Sequence, residues 1–257
     1  MSRIVVWFGA GAASAVAAKL TLREFPQAIV AYCQTNAEHV DNERFISDCV
    51  RWFNAPVQYL ANSEYFDTWD VWETRRYIAG PKGAPCTGPL KRLPREQFQR
   101  PGDVHVFGYT ADPEDRARYQ RLKERWPELI TAAPLISRGL DKAACLALVQ
   151  SAGISLPAMY LLGFSNNNCI PCAKAQSANY WAAIRKHFPA QFDRMAKLSR
   201  ELGAKLCLFG TEKDADGHRR NIRLYIDEIP DDWPTTEPIA PSCDFLCHIY
   251  EQDVAHD

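Results

Sequence analysis

The opening stretch of the chain restricts its fold more than any other. Ile4-Val5-Val6-Trp7-Phe8 is an unbroken apolar run that passes directly into Gly9-Ala10-Gly11-Ala12-Ala13-Ser14 and then into Ala15-Val16-Ala17-Ala18. A short apolar run without polar alternation reads as a strand buried on both faces. Small residues then lead into a helix, and a strand entering such a loop and helix is how α/β folds build an anion cradle. The pattern repeats downstream. Ala28 to Cys33, Val57 to Leu60, Asp103 to Tyr109 and Thr131 to Ile136 read as further strands. Between them, Ser14 to Phe25, Asp41 to Phe53, Glu114 to Trp126 and Asp141 to Ala152 read as helices, the third charged and exposed. Strands alternating with helices in units of about 25 residues imply right-handed crossovers and a parallel sheet.

The expected fold class is therefore α/β. It is a three-layer α/β/α, Rossmann-like arrangement around a mainly parallel twisted sheet over residues 1–175. A C-terminal helical and irregular extension over 176–257 follows. Within it, Asn179 to Leu202 reads as helical with a break near Pro189, Lys205 to Gly210 and Ile222 to Ile226 as two pairing strands, and the Pro-rich stretch Pro230 to Pro241 as irregular.

Charge and cysteine usage narrow the function. The 257 residues carry 30 basic and 31 acidic side chains, a net charge of −1, so no global field favours DNA or a membrane surface. No apolar run approaches the roughly 20 residues that span a bilayer, and no signal-peptide pattern opens the chain. A cytoplasmic protein is the expectation. Nine cysteines, an odd number, then point to free thiols, metal ligands or redox work rather than disulfides. Cys33, Cys49, Cys145 and Cys207 sit in apolar or periodic surroundings and read as core residues. Cys86, Cys169, Cys172, Cys243 and Cys247 lie among Pro, Gly, Asn and Ser instead, where a thiol is available for chemistry.

In the first loop, Gly9 and Gly11 allow close backbone approach, Ala10, Ala12 and Ala13 leave room, and Ser14 offers a hydroxyl at the helix start. This is neither a dinucleotide fingerprint nor a P-loop with Lys-Ser/Thr, which disfavours NAD and ordinary phosphoryl transfer. Cys169 and Cys172, at C-x-x-C spacing, together with the remote Cys86 suit an iron–sulfur cluster such as 4Fe–4S; zinc with Cys247 or His248 as fourth ligand, or a redox dithiol, are the other readings. Lys91, Arg92, Arg116 and Arg118 are candidates for sulfate and phosphate contacts, and Thr110 lies in the loop after the fourth strand, where parallel sheets often contact substrate.

Four blocks resemble the PP-loop adenine-nucleotide-binding superfamily, and within it the phosphoadenylyl-sulfate and adenylyl-sulfate reductases. Phe8-Gly9 to Ser14 stands where the family has its loop, and Thr35-Asn36 to Asp41-Asn42 with Phe45 resembles the segment after its second strand. Cys86-Thr87-Gly88-Pro89-Leu90-Lys91-Arg92-Leu93-Pro94 resembles the reductases' Cys-Cys-x-x-Arg-Lys-x-x-Pro block. Pro134-Leu135-Ile136 through Gly153-Ile154-Ser155-Leu156-Pro157 to Gly163–Cys172 resembles the family's ending, so the likeness covers roughly residues 3 to 175.

The resemblance implies an adenine nucleotide ligand (adenylyl sulfate, phosphoadenylyl sulfate or ATP) held by Gly9, Ala10, Gly11, Ala12, Ser14 and Thr35 with the cations above. It implies thiol-dependent reduction of activated sulfate to sulfite, a reductant such as thioredoxin, no membrane partner, and an assembly that can be a homodimer. Cys247 or Cys243, on the tail after the Pro-rich stretch, stands in for the family's nucleophile, although the Glu-Cys-Gly-Leu-His motif is replaced by Asp244-Phe245-Leu246-Cys247-His248. Two other readings follow from the departures. Cys86 is followed by Thr87 rather than a second Cys, leaving three cluster ligands, as in thiolating PP-loop enzymes that adenylate and thiolate a nucleic acid or base. Ala13 replaces the Asp of ATP-cleaving members, which suits a nucleotide-binding module without catalysis.

Overall fold

A computed structural model describes residues 2–80, 83–213 and 217–241. Strands β1 (Ile4–Phe8), β2 (Ile29–Cys33), β3 (Val57–Leu60), β4 (Val104–Phe107) and β5 (Ile130–Ala132) form one all-parallel sheet in the order β3-β2-β1-β4-β5, with helices on both sides. The chain winds outward from β1 to β3, then returns to pair β4 with the free side of β1. The strand order therefore reverses between β1 and β4, and the crevice outside the carboxyl ends at such a point is where open α/β sheets take ligands.

The helices follow in chain order: α1 (Ala12–Glu24), α2 (Asn42–Phe53), α3 (Thr68–Arg75), α4 (Leu93–Phe98) and α5 (Pro113–Arg125), then α6 (Pro134–Ser137), α7 (Lys142–Ser151), α8 (Ala158–Leu161), α9 (Ala178–His187) and α10 (Pro189–Glu201). Local chemistry sets their ends. Asp67, Asp141 and Ser177 each accept a hydrogen bond from a backbone N–H in the first turn of α3, α7 and α9, satisfying a donor the helix cannot. Pro189 opens α10 and separates it from α9, because a proline at a first helical position gives up no hydrogen bond. The same property corrects the expected strand Thr131 to Ile136. Only Ile130–Ala132 pairs with β4, and Pro134, which cannot donate to a ladder, begins α6.

Two large apolar clusters hold the chain, with a small third around Tyr65, Val71 and Leu90. The first packs Val6, Phe8 and Val30 of the sheet against Ala15, Val16 and Ala18 of α1 and Leu146 and Val149 of α7. The alanines matter here, because small side chains let α1 lie close to both the sheet and α7. The second cluster joins Trp181 and Ile184 of α9 to Met195 of α10, and draws in Trp69 and Trp72 of α3 together with Phe164. The late strands β6 (Cys207–Lys213) and β7 (Arg219–Leu224) pair with each other as expected, in antiparallel register and with shifted bounds. The stretch from Pro230 to Pro241 is irregular, also as expected, yet it is tied down: Arg185 donates to the carbonyls of Ile229 (2.8 Å) and Pro230 (2.5 Å), and Ile239 packs on the first cluster. α5 buries no side chain. Among the described residues no helix is long and apolar enough to cross a membrane.

Candidate functional site

The β1–α1 loop lies where the strand order reverses. Ala10 is held at φ 51°, a left-handed conformation that a residue with a Cβ adopts only when its surroundings impose it. Those surroundings are specific. The Ala10 carbonyl accepts a hydrogen bond from Asn167 Nδ2 at 2.6 Å, and the same amide donates to Asn42 Oδ1 at 2.8 Å. Asn167 thus fastens the loop before Cys169 directly to the loop after β1. Gly108, just beyond β4, has no room for a side chain, since a Cβ there would lie 2.7 Å from Ser14 Cα and 2.8 Å from Ser14 N.

Ser14 does not face outward as expected. Its Oγ accepts from the N–H groups of Gly9 (3.0 Å) and Gly11 (3.4 Å) and donates to the Gly11 carbonyl (2.9 Å). The Ala12 N–H donates to the Tyr160 hydroxyl at 3.4 Å. A hydroxyl at this spacing satisfies the loop internally, so three amides expected to meet an anion already have acceptors.

Beside the loop, a cavity of about 360 Å³ runs along the carboxyl ends of β2, β1 and β4, from Cys33 past Gly9 to Phe107. Lys91, Arg92, Arg95 and Arg125 line it; among the described residues no carboxylate does, and Trp7, Phe107 and Trp126 supply aromatic wall. Arg92 lies 3.5 Å from Glu96. Arg95 has a buried Nε without an acceptor, and burial holds its guanidinium below the ordinary value. Cys33, expected in the core, belongs to this cavity, where its thiol donates to the Lys91 carbonyl at 3.5 Å. Cys49, Cys145 and Cys207 are fully buried, as expected.

A second cavity, about 570 Å³, adjoins the first through Thr87 and Lys91, which line both. It brings together Cys86, Cys169, Cys172, Thr35, Lys91 and Arg118, six residues from widely separated parts of the chain. The turn carrying the thiols is anchored: Ile170 N–H donates to the Ala37 carbonyl at 2.6 Å, Cys172 N–H to the Tyr180 hydroxyl at 2.6 Å, and Lys142 Nζ to Asn166 Oδ1 at 2.8 Å. Cys169 is buried, with its sulfur 3.3 Å from Thr35 Oγ1. Burial pushes its thiol up to about 11, against the opposing pull of Lys91 and Thr35. The Cys86 thiol is raised by burial first and by Cys172 next, while the indole N–H of Trp72 works the other way.

Lys91, Lys174 and Arg118 are the cations of this cavity, and Lys91 also lines the first. Burial alone would lower its pKa, yet the acidic groups around it, Cys169 and Glu38 foremost, outweigh burial and hold the ammonium charged. While Cys169 is protonated, Glu38 is the standing partner, at 3.7 Å. The Glu38 carboxylate is only 6 % exposed and also accepts from the Tyr32 hydroxyl and from Asn42 Nδ2 at 3.2 Å. A carboxylate so held is a fixed counter-charge that positions Lys91.

The iron–sulfur reading needs converging ligands. Among the described residues no three His, Cys, Asp or Glu side chains form a group able to hold one ion. Cys169 lies against Thr35, and Cys86, Cys169 and Cys172 line one cavity.

Other expected residues are placed differently. Thr110 is fully buried, its hydroxyl between Asp112 Oδ2 (2.8 Å) and Asp115 Oδ2 (2.9 Å), and it secures the start of α5 rather than facing a cavity. Arg116 donates to the Ala111 carbonyl at 2.7 Å and stays with its own loop. Arg118 does reach the thiol cavity, bound to Asp115 Oδ1 at 2.8 Å and lying over the Tyr109 ring at 5.5 Å. Cys243 and Cys247 lie outside the described residues. The tail before them lines the thiol cavity at Thr236 and passes so close to Gly163 that a Cβ there would lie 2.5 Å from the Thr236 carbonyl oxygen. Glu38, Arg95, Trp72 and Asn167 are the residues sequence reasoning missed. Asn167 alone had a visible signal, in the Asn-Asn-Asn run before Cys169.

Fold and cleft together define an α/β protein whose parallel sheet carries, at its carboxyl edge, a cationic aromatic cavity that shares Thr87 and Lys91 with a thiol-lined one. No family model matches the chain, and no curated protein does.

Proposed function

We propose that the protein is a sulfonucleotide-handling enzyme that uses thiols to reduce an activated sulfate to sulfite. The observation that carries this reading is the sharing of Lys91 by the two cavities. A nucleotide lying along the carboxyl edge would set its planar base against Trp7, Phe107 and Trp126 and its phosphate among Arg92, Arg95 and Arg125. Its acidic end would then pass Lys91 into the compartment of Cys86, Cys169 and Cys172. About 360 and 570 Å³ suit a ligand of nucleotide size, since such sites run from roughly 300 to 1,000 Å³. In the reaction a thiolate attacks the sulfate sulfur, adenylate leaves, and Lys91 and Arg118 balance negative charge on the sulfonate oxygens. Purified protein with dithiothreitol should release sulfite from adenylyl sulfate or its 3′-phosphate, and Lys91→Met should reduce that rate at least ~100-fold, the scale of losing one charge-stabilising group. Absence of sulfite from both substrates would refute the reading.

Three thiols in one cavity favour a second reading, a thiolating enzyme that activates a nucleic acid or base with ATP and draws sulfur from an iron–sulfur cluster. Ala13, in place of an Asp, weighs against ATP cleavage. Pyrophosphate release from ATP, with stoichiometric iron in anaerobically purified protein, would establish this reading in place of the first.

A further inference from the structure

We propose that Cys172 and Cys86 form an internal dithiol that supplies the two electrons of sulfate reduction, Cys172 as nucleophile and Cys86 as resolving thiol. The inference rests on the sulfonucleotide reading and specifies which side chains carry it out. Of the cavity's three thiols, Cys169 is buried and engaged with Thr35 Oγ1, whereas Cys86 and Cys172 are half-buried on the cavity wall. Among the ionisable neighbours of Cys86, the one that acts on it most strongly is Cys172.

Both thiols are carried on tethered backbone. The Cys172 N–H is held by the Tyr180 hydroxyl at 2.6 Å, and the Cys86 carbonyl accepts from the Leu90 N–H at 3.1 Å at the start of the turn that carries Lys91. The side of the cavity next to Cys86 also holds Thr68 Oγ1 and Trp72 Nε1, buried polar atoms without an oxygen or nitrogen partner. Such atoms are costly to leave unmet, and oxygens of a bound sulfonate would satisfy them.

The steps balance as follows. The Cys172 thiolate attacks the sulfate sulfur; a Cys172 S–S bond to the sulfonate forms, the sulfur–oxygen bond to the phosphate breaks, and adenylate leaves with that electron pair. The Cys86 thiolate then attacks Cys172 Sγ. A Cys86–Cys172 disulfide forms and sulfite departs with the electrons of the broken bond. The two thiols are oxidised, sulfur(VI) is reduced to sulfur(IV), and both thiol protons pass to solvent. An external dithiol, small molecule or protein, regenerates the pair by exchange.

The full chain, reduced and then freed of thiol, is mixed with adenylyl sulfate or its 3′-phosphate, whichever it turns over with dithiothreitol. A stoichiometric burst of sulfite is expected, together with a Cys86–Cys172 linked peptide in a non-reducing digest. Cys86→Ser should lose the burst and accumulate a sulfonated Cys172. As a readout independent of turnover, oxidation with diamide should give the same linked peptide, and unchanged circular dichroism of the variants shows that they fold. A Cys169–Cys172 link, a burst that survives in Cys86→Ser but vanishes in Cys247→Ser, or iron bound to the thiols of the isolated protein would overturn the dithiol and leave the reductase reading standing. If the linked peptide forms with diamide but no sulfonucleotide yields sulfite with any thiol, the reductase reading falls and takes this step with it.

Discussion

Replacing Gly108 with alanine should cost far more than the same change at Gly9, although both glycines flank the β1–α1 loop. At Gly108 the new methyl would sit 2.7 Å from Ser14 Cα, 2.8 Å from Ser14 N and 3.1 Å from Ala13 C, all backbone atoms. Ordinary contact begins near 3.4 Å, so the first turn of α1 would have to retreat by about 0.7 Å. That turn has nowhere to go, because Ala12, Ala15 and Val16 are buried against the sheet and α7, and Ser14 is bonded to Gly9 and Gly11. Overpacking of this kind costs about 1–3 kcal/mol. At Gly9 the only atom within 4 Å of a new methyl is Ser14 Oγ, at 3.8 Å, and the backbone is not left-handed. Gly9→Ala should therefore stay within ~0.5 kcal/mol of the parent. Urea unfolding followed by circular dichroism measures both variants. Because Gly9 lines the cationic cavity, Gly9→Ala should still weaken nucleotide binding by calorimetry. Equal stability losses, or an unperturbed Gly108→Ala, would refute the packing argument.

Asn167→Ala strands the Ala10 carbonyl and Asn42 Oδ1; a loss of about 1–3 kcal/mol is expected in the same urea assay, along with faster proteolysis of the Gly163–Cys172 turn. Arg95→Met removes a guanidinium whose buried Nε has no acceptor, so stability should hold or rise while affinity for an anionic nucleotide falls about tenfold or more by calorimetry. The Asp103 carboxylate, 2 % exposed, is held below its ordinary value of 3.8 by the hydrogen bond from Arg3, with a backbone bond from Arg100 assisting. A lowered folded value means the stabilisation is present above pH about 4 and is lost as pH falls through the folded value. Asp103→Asn should therefore cost about 1–3 kcal/mol at pH 7, and the difference from the parent should vanish in urea titrations well below pH 4.

The parallel sheet was legible because a strand buried within it leaves an apolar run, as in Ile4–Phe8, which is a strand over those very residues. The stretch between β3 and β4 was not. Trp69 and Trp72 of α3 face a cluster built from α9 and α10 more than a hundred residues later, and no local period announces a partner so remote. Lys91 and the three thiols were legible as residue types and spacings. Their sharing of one cavity depends on Asn167 and Ile170 bridging to the loops after β1 and β2, a matter of hydrogen bonds that sequence does not display. Thr110 misled for the opposite reason: a hydroxyl at a strand's carboxyl end suits a ligand or a helix start equally, and Asp112 and Asp115 decide for the helix.

The internally satisfied loop changes where anion recognition has to come from. In many α/β sites the backbone N–H groups of the first loop carry much of it. Here the N–H groups of Gly9, Gly11 and Ala12 donate to Ser14 and Tyr160, so an anion at this edge must be met by side chains. The cleft supplies Lys91, Arg92, Arg95, Arg125 and Arg118, of which Lys91, Arg92 and Arg118 have carboxylates close by. Arg95 and Arg125 line the cavity without an ion pair of their own among the described residues, although Glu96 partly offsets the burial of Arg95. An anion entering the cavity would supply the acceptor that the buried Arg95 Nε lacks. Loop and cations thus form one arrangement: a hydrogen-bonded floor that fixes position, and charge placed beside it that selects an anion.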